Sequence, residues 1–501
     1  MKRAVLTTVV ALAAAVLTTP IAAATPAPAI TWGACSDAAL VAGGAQCGTL
    51  AVPLAVPLDP AKPTGTQITL ALSRVEHTGP ESAYQGVVVS MPGVLTGTGL
   101  ANSLLGGQLP GGVGANYDWI GFAPRGMSPS SPSLDCVPGY QTFNRPNYVT
   151  TTPIAEAFWL NRTKGYADAC ARNQPELIKH LKTTDTAADV ERIRGALGVD
   201  QVTVFAQSYG TYTGQVYATR YPTKVRRMVL DGNVDPRRIW TGAAAFDQDV
   251  PLERNLHLWF DWLATHDDVY HLGTTGAAVN TVWDKQLAAV TANPAGGAIG
   301  PDEWIDVFLF VSYFQSTWTT MGGILSQFVQ TGDPSTLQGF FAFSYQSPAA
   351  EHTFASLLGT TCSDAPWPRD WSRWRAESTA NHALAPNTTW GNTWANAPCF
   401  WWGAPAGTPV RVDGSGITSA LLVHQTLDAA TPYEGSLEVR SRFPHASLIS
   451  VPGGTDHAAG PAGPACVTAA VSAYLATGAL PARKPGRQAD ATCAPNPLPT
   501  P

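Results

Sequence analysis

The chain has 501 residues, a formal net charge of −6, 45% hydrophobic and only 13% charged residues. Its length exceeds what a single core usually fills. No basic stripe runs through it, which argues against nucleic acid as a partner.

Met1-Lys2-Arg3 is a short basic head, Ala4 to Leu17 an apolar stretch, and Ala22-Ala23-Ala24 a small-residue cleavage site. Together they predict a signal peptide over 1–24 and a secreted, extracellular product. The apolar run is short for a bilayer span and ends at Pro20, and no later segment has the length of a transmembrane helix. No membrane partner is expected after cleavage. Eight cysteines fit an oxidising compartment.

Residues 48–77 offer the opening strands, including Ile68-Thr69-Leu70-Ala71-Leu72-Ser73. A third strand, Gly86-Val87-Val88-Val89-Ser90-Met91, leads into Gly93-Val94-Leu95-Thr96-Gly97-Thr98-Gly99, and a fourth covers Tyr117 to Phe122. Thr186 to Leu197 reads as an amphipathic helix, with Val190, Ile193 and Leu197 on one face and Gly198 as its stop. Then Val202-Thr203-Val204-Phe205 predicts a strand, Ala206-Gln207-Ser208-Tyr209-Gly210 a sharp turn, and the stretch to Tyr221-Pro222 a helix. A serine at the apex of a strand–turn–helix, with small residues two positions either side, is a nucleophile elbow.

Arg227-Met228-Val229-Leu230 is the next strand, closed by Asp231. From about 237 to 403 the pattern changes to apolar helical segments, placed where hydrolases insert a cap. Trp367, Trp371, Trp374, Trp390, Trp394, Trp401 and Trp402 crowd its end. They read as the core of a small domain ahead of a pocket lining. The strand Ala420-Leu421-Leu422-Val423-His424 is followed by Asp428. The strand Ser447-Leu448-Ile449-Ser450-Val451 is followed by Pro452-Gly453-Gly454 and His457.

The order Ser208, Asp428, His457 is that of an α/β-hydrolase triad, with acid and base at the carboxyl ends of consecutive strands. A serine hydroxyl needs a base to take its proton, and that imidazole needs a carboxylate to fix its tautomer. Asp231 is a rival acid, one strand earlier, and His424 a rival base inside a strand run. Alternating strands and helices predict an α/β-hydrolase fold, a mostly parallel sheet with helices on both faces and a large helical cap. The core would span 25–236 and 404–480, the cap 237–403, with a Pro-rich tail over 481–501 held only through Cys493.

The segments Thr184 to Asp189, Gln207-Ser208-Tyr209-Gly210-Thr211-Tyr212, Cys362-Ser363-Asp364 and Leu427-Asp428-Ala429-Ala430-Thr431-Pro432-Tyr433-Glu434-Gly435 carry a resemblance. On these the chain resembles the secreted tripeptidyl aminopeptidases of actinobacteria, in the proline-iminopeptidase-like family of serine peptidases. The resemblance runs from about Ile30 to Pro495. It implies backbone N–H donors for an oxyanion at Tyr209 and Val94. It also shows departures: the family's glycine-rich run carries Val, Leu and Thr at 94–96, and its GFDPRG turn reads Gly121-Phe122-Ala123-Pro124-Arg125-Gly126. Without that Asp, Arg125 is expected to lack a neighbouring partner. An aminopeptidase needs an acidic group for the substrate's free amine, and Asp249, Glu253 and Asp364 are the candidates.

Eight cysteines allow 105 pairings. Nearest-neighbour pairing gives Cys35–Cys47, Cys136–Cys170, Cys362–Cys399 and Cys466–Cys493, as the resemblance also suggests. With no Cys-x-x-Cys, no His-Glu-x-x-His and no cofactor motif, neither metal nor cofactor is expected. The leading reading is a secreted serine exopeptidase acting on peptides as a monomer. An esterase or lipase-like hydrolase and a peptide-binding scaffold are the alternatives.

Overall fold

A computed structural model describes Met1 and residues 30–55, 65–93, 97–239, 247–458 and 460–501. The segment 2–24 and Val94 lie outside the described residues.

One sheet organises the chain, in the order β1-β2-β3-β5-β4-β6-β7-β8-β9-β10. Its strands are β1 (Thr31–Ala34), β2 (Gln46–Pro53), β3 (Gln67–Val75), β4 (Val87–Met91), β5 (Asp118–Phe122), β6 (Val202–Gln207), β7 (Val225–Asp231), β8 (Ala420–Gln425), β9 (Ala446–Val451) and β10 (Ala491–Thr492). The first three strands and β5 pair antiparallel, and the rest pair parallel. Every residue of β4, β6, β8 and β9 is buried. Continuous apolar runs are what a parallel sheet covered on both faces demands. This is the α/β-hydrolase architecture, and Ser208, Asp428 and His457 all follow the carboxyl ends of its strands, where ligands bind in such sheets.

Between β7 and β8 the chain is helical, including Asp249–Ala264, Gly276–Ala292, Trp318–Thr331, Pro348–Asp364, Trp371–His382 and Thr389–Asn396. This insertion has two interiors. Leu256 to Phe341 form a cluster of their own. Trp367, Trp374, Trp390, Trp394 and Trp402 join the cluster that continues from the sheet, with Trp371 and Trp401 packed against it. The tryptophans are core; Trp390 also borders a cavity of about 430 Å³.

The helix Pro153–Asn173 has no counterpart in the sequence reading. Thr152 caps it through Ala155 N–H, with Pro153 in its first turn. It presents Trp159 to the insertion, where the ring stacks on Trp394 at 5.8 Å. Nearby, buried Arg145 binds both Glu303 (2.8 Å) and Asp306 (2.7 Å), joining the β5–β6 excursion to the cap.

Two expectations need correction. Arg125 does have a partner: Nε and Nη2 each donate to Asp189 at 2.7 Å, and Nη1 donates to the carbonyls of Leu54 and His180. The carboxylate missing from the turn is supplied 64 residues later, from the helix Thr183–Ala196. Nor is the tail held through Cys493 alone. Asp490 pairs with buried Arg440 at 2.6 Å and accepts Leu448 N–H at 2.8 Å, which sets β10 beside β9. The four disulfides join the cysteines that nearest-neighbour pairing gives.

Because Arg125 and Asp189 are both fully buried, removing one leaves an uncompensated charge. Asp189→Ala is expected to cost about 3–5 kcal/mol in urea unfolding, whereas an exposed pair such as Lys164–Asp168 contributes under ~1 kcal/mol.

Candidate active site

Ser208 stands at the end of β6 with φ 54°, in the left-handed region that disfavours a side chain. Its N–H donates to the Asp231 carbonyl at 3.0 Å, so the neighbouring strand β7 holds the turn. The turn runs tightly under the β4 loop. A methyl group at Gly210 would meet the Met91 carbonyl at 2.3 Å, and one at Gly93 would meet Ser208 Cβ at 2.7 Å. The small residues are a steric requirement of the elbow.

The structure brings the three distant residues together. Ser208 Oγ is 2.7 Å from His457 Nε2, and His457 Nδ1 is 2.9 and 3.0 Å from the two oxygens of Asp428. Asp428 also accepts the N–H groups of Ala430 (2.9 Å) and Thr431 (3.0 Å), and the Thr431 hydroxyl at 3.0 Å. Burial alone would raise the Asp428 carboxyl and depress the His457 imidazole. Their mutual attraction and hydrogen bonding outweigh burial, so Asp428 lies below its ordinary value and His457 above. An ionised acid beside a base of raised basicity suits proton transfer from a serine hydroxyl.

The rivals lie close by but are held by other partners, His424 Nε2 standing 3.8 Å from Asp428 Oδ2. His424 is fully buried, with Nδ1 2.6 Å from Ser436 Oγ and Nε2 2.6 Å from the Thr431 carbonyl. Asp231 accepts Gly460 N–H at 2.6 Å, and burial pushes its carboxyl up to about 7. It braces the loop that carries His457.

The cap reaches the same loop. His457 N–H donates to the Tyr313 carbonyl at 2.9 Å, and Gln315 N–H donates to Asp456 at 2.7 Å. The rings of Tyr313 and Phe314 each lie 6.4 Å from the imidazole. Sequence reasoning missed both residues, and only their position in the apolar cap hinted at them. Thr431, three residues after Asp428, is a further residue the sequence did not mark as its donor.

Tyr209 precedes the helix Gly210–Arg220. Amides at a helix start have no partner within the helix, which suits an N–H meant for a substrate anion.

The three acidic candidates separate. Asp249 and Glu253 lie one turn apart on Asp249–Ala264, buried and bound by neutral donors. Asp249 accepts Asn381 Nδ2 (3.1 Å) and Asn392 Nδ2 (2.8 Å), and Glu253 accepts Asn387 N (3.0 Å) and Nδ2 (2.6 Å). Among the described residues their one ion-pair neighbour is half-exposed His257, 3.5 Å from Glu253. Burial pushes Asp249 up to about 7. Their helix overlies the acid loop, where Asn255 Nδ2 donates to the Leu427 carbonyl at 3.0 Å. Asp364 instead sits beneath the elbow. Its carboxylate accepts Thr183 N–H (2.6 Å), Thr183 O–H (2.7 Å) and Tyr209 O–H (2.6 Å), which ties the end of the cap helix Pro348–Asp364 to the elbow.

Residues 385–493 match the family model described as TAP-like protein. Over 469 residues the chain is 37% identical to a tripeptidyl aminopeptidase of Streptomyces coelicolor, covering 91% of this chain and 84% of that one. The chain belongs to the tripeptidyl aminopeptidase family. It is therefore a serine hydrolase of the α/β-hydrolase fold, of the peptidase kind. It is also 28% identical to the serine protease Hip1 of Mycobacterium tuberculosis, over 88% of this chain and 87% of that one. A carboxylesterase B of the same organism is 27% identical, over 87% and 85%.

A Cβ at 93 would press on the nucleophile itself, and a displacement of about 1 Å at a reacting atom costs about 10²-fold. Gly93→Ala is expected to slow Ser208 phosphonylation by that order without loss of the folded state, as read from fluorophosphonate labelling rates beside circular dichroism.

Proposed function

We propose that this protein is a secreted serine exopeptidase that releases short peptides, tripeptides among them, from the free N-terminus of peptide substrates. The observation that carries the proposal is the Ser208–His457–Asp428 hydrogen-bonded chain beneath a cap helix whose buried Asp249 and Glu253 form no ion pair with a lysine or arginine among the described residues; Arg254, next to Glu253 on that helix, donates to the Leu427 carbonyl instead. A hydrolase for uncharged esters has no use for that acidic pair, whereas an N-terminal ammonium would offset the burial of both.

In the proposed reaction, Ser208 Oγ attacks the scissile carbonyl while its proton passes to His457 Nε2. Asp428 stabilises the imidazolium, and the oxyanion meets the N–H groups of Tyr209 and Val94. His457 then protonates the departing amine. Water enters by the same base and frees the acyl peptide. Asp249 and Glu253 hold the ammonium, which places the cleaved bond a fixed number of residues from the N-terminus. The four disulfides support secretion, and no helix among the described residues is long and apolar enough to cross a membrane.

A fluorophosphonate should label the mature protein and leave Ser208→Ala untouched. A free tripeptide amide should be cleaved at least about 10²-fold faster than its N-acetylated form, the scale of two lost charged hydrogen bonds. Equal rates, with a short acyl ester faster than both, would establish an esterase instead. No labelling of the folded protein would leave a peptide-binding scaffold.

The acid limb of the pH profile separates the two groups. His457 must be neutral to act as base, which favours a pH above its raised value. Asp249 must be ionised to hold an ammonium, which requires a pH above about 7. The kcat/KM of a free-amine substrate should therefore fall on acidification with a limiting slope of about two, against one for an acyl ester without an amine. In Asp249→Asn the peptide's slope should drop to that of the ester.

A further inference from the structure

Tyr209 does more than follow the nucleophile. Its side chain turns beneath the elbow and donates its phenolic hydrogen to Asp364 at 2.6 Å. Asp364 is the last residue of the cap helix Pro348–Asp364, whereas Tyr209 belongs to the sheet domain. The carboxylate is fixed from both sides. Thr183, at the start of Thr183–Ala196, gives it both N–H and O–H. On the cap side Cys362 is bridged to Cys399, the Ser363 carbonyl accepts Gly407 N–H at 2.7 Å, and Ser363 Oγ accepts Trp402 Nε1 at 3.1 Å. Asp364 is 5% exposed, so this is a buried, three-donor anchor rather than a surface contact.

Building on the hydrolase reading above, we propose that Asp364 is a positioning residue: through the Tyr209 hydroxyl it fixes the residue whose N–H receives the oxyanion, so that the cap sets the geometry of the elbow. The physical argument is one of leverage. The amide and the phenol belong to one residue, and the peptide preceding that amide follows a backbone already held at positive φ. Rotation of the amide away from the substrate would have to break the Asp364 bond. That bond is charge-assisted and its acceptor is buried, which makes it costly to break. A donor held in place before the reaction stabilises the developing charge at no cost in reorganisation. An acid serving the substrate's amine would act on binding; an acid acting through Tyr209 acts on the chemical step.

The test compares Tyr209→Phe, Asp364→Asn and the double variant, in the full mature chain with disulfides intact. Each is assayed for kcat and KM on a free tripeptide amide and for the rate of fluorophosphonate labelling. Tyr209→Phe removes one oxygen and preserves the ring, so it decides the matter should Asp364→Asn fail to fold. The expected result is a fall in kcat and in labelling rate of about 10–100-fold, part of the ~10²–10³ carried by a whole oxyanion donor. KM should stay within about twofold, and the double variant should be no slower than the slower single one. Unchanged kcat in folded Tyr209→Phe overturns the proposal. So does a rise in KM at constant kcat for Asp364→Asn, which would return that acid to substrate binding. Wild-type labelling and turnover are measured first. If those are absent, the serine hydrolase reading has failed, and not this one.

Discussion

The catalytic end of the molecule depends on one unfavourable conformation, the left-handed backbone of Ser208. A non-glycine residue held in a sparsely populated region costs on the order of 1–3 kcal/mol and persists only where its surroundings leave no alternative. Here they leave none. The serine's N–H is tied to the Asp231 carbonyl, and β6 is flanked by β4 and β7. Gly93 and Gly210 let the β4 loop pass within contact of the turn. The strain lifts Oγ clear of the sheet, where the imidazole from the loop after β9 can reach it. A relaxed turn would draw the hydroxyl away and leave His457 Nε2 without its serine partner.

Buried carboxylates are stabilised in two ways in this protein, and the difference follows their work. Asp189 and Asp490 each take a bidentate guanidinium, from Arg125 and Arg440, and each ties a remote segment to the sheet. Such pairs are structural: both charges are spent on each other. Asp249, Glu253, Asp231 and Asp364 are held instead by amides, hydroxyls and backbone N–H groups. Neutral donors only partly replace water, so burial raises all four above the ordinary carboxylate range. All four gather around the elbow, its loops or the cap helix above them.

The triad was legible in the sequence because each member is announced by its neighbours: a β-branched run, then a turn, then the residue. Strand order alone fixed that these turns would meet at one end of a parallel sheet. Partners contributed by remote segments were not legible. Arg125 looked abandoned because its turn lacks an acid, yet a helix 64 residues on provides one. Asp364 looked like an amine ligand because an acid beside a disulfide in a cap suits that role. Only its distance to Tyr209 shows where its oxygens are spent. Tyr313 meets His457 through a backbone carbonyl, a contact that side-chain identity does not encode. The short edge strand β10 was missed for a similar reason: its pairing depends on Asp490 reaching Leu448, not on the apolar pattern of a Pro-rich tail.

The cap grips all three loops of the triad. Asp364 holds the elbow through Tyr209, Asn255 holds the acid loop at Leu427, and Tyr313 holds the amide of His457 itself. Asn255 also donates to the Ser312 carbonyl at 2.9 Å, which binds the second and third of these contacts to each other. A lid that swung open as a body would break all of these bonds and disturb the alignment of Ser208, His457 and Asp428. The arrangement therefore favours a fixed wall over a moving gate. On the exopeptidase reading proposed for this protein, selectivity would follow from that rigidity, with Asp249 and Glu253 of the cap helix receiving the chain end.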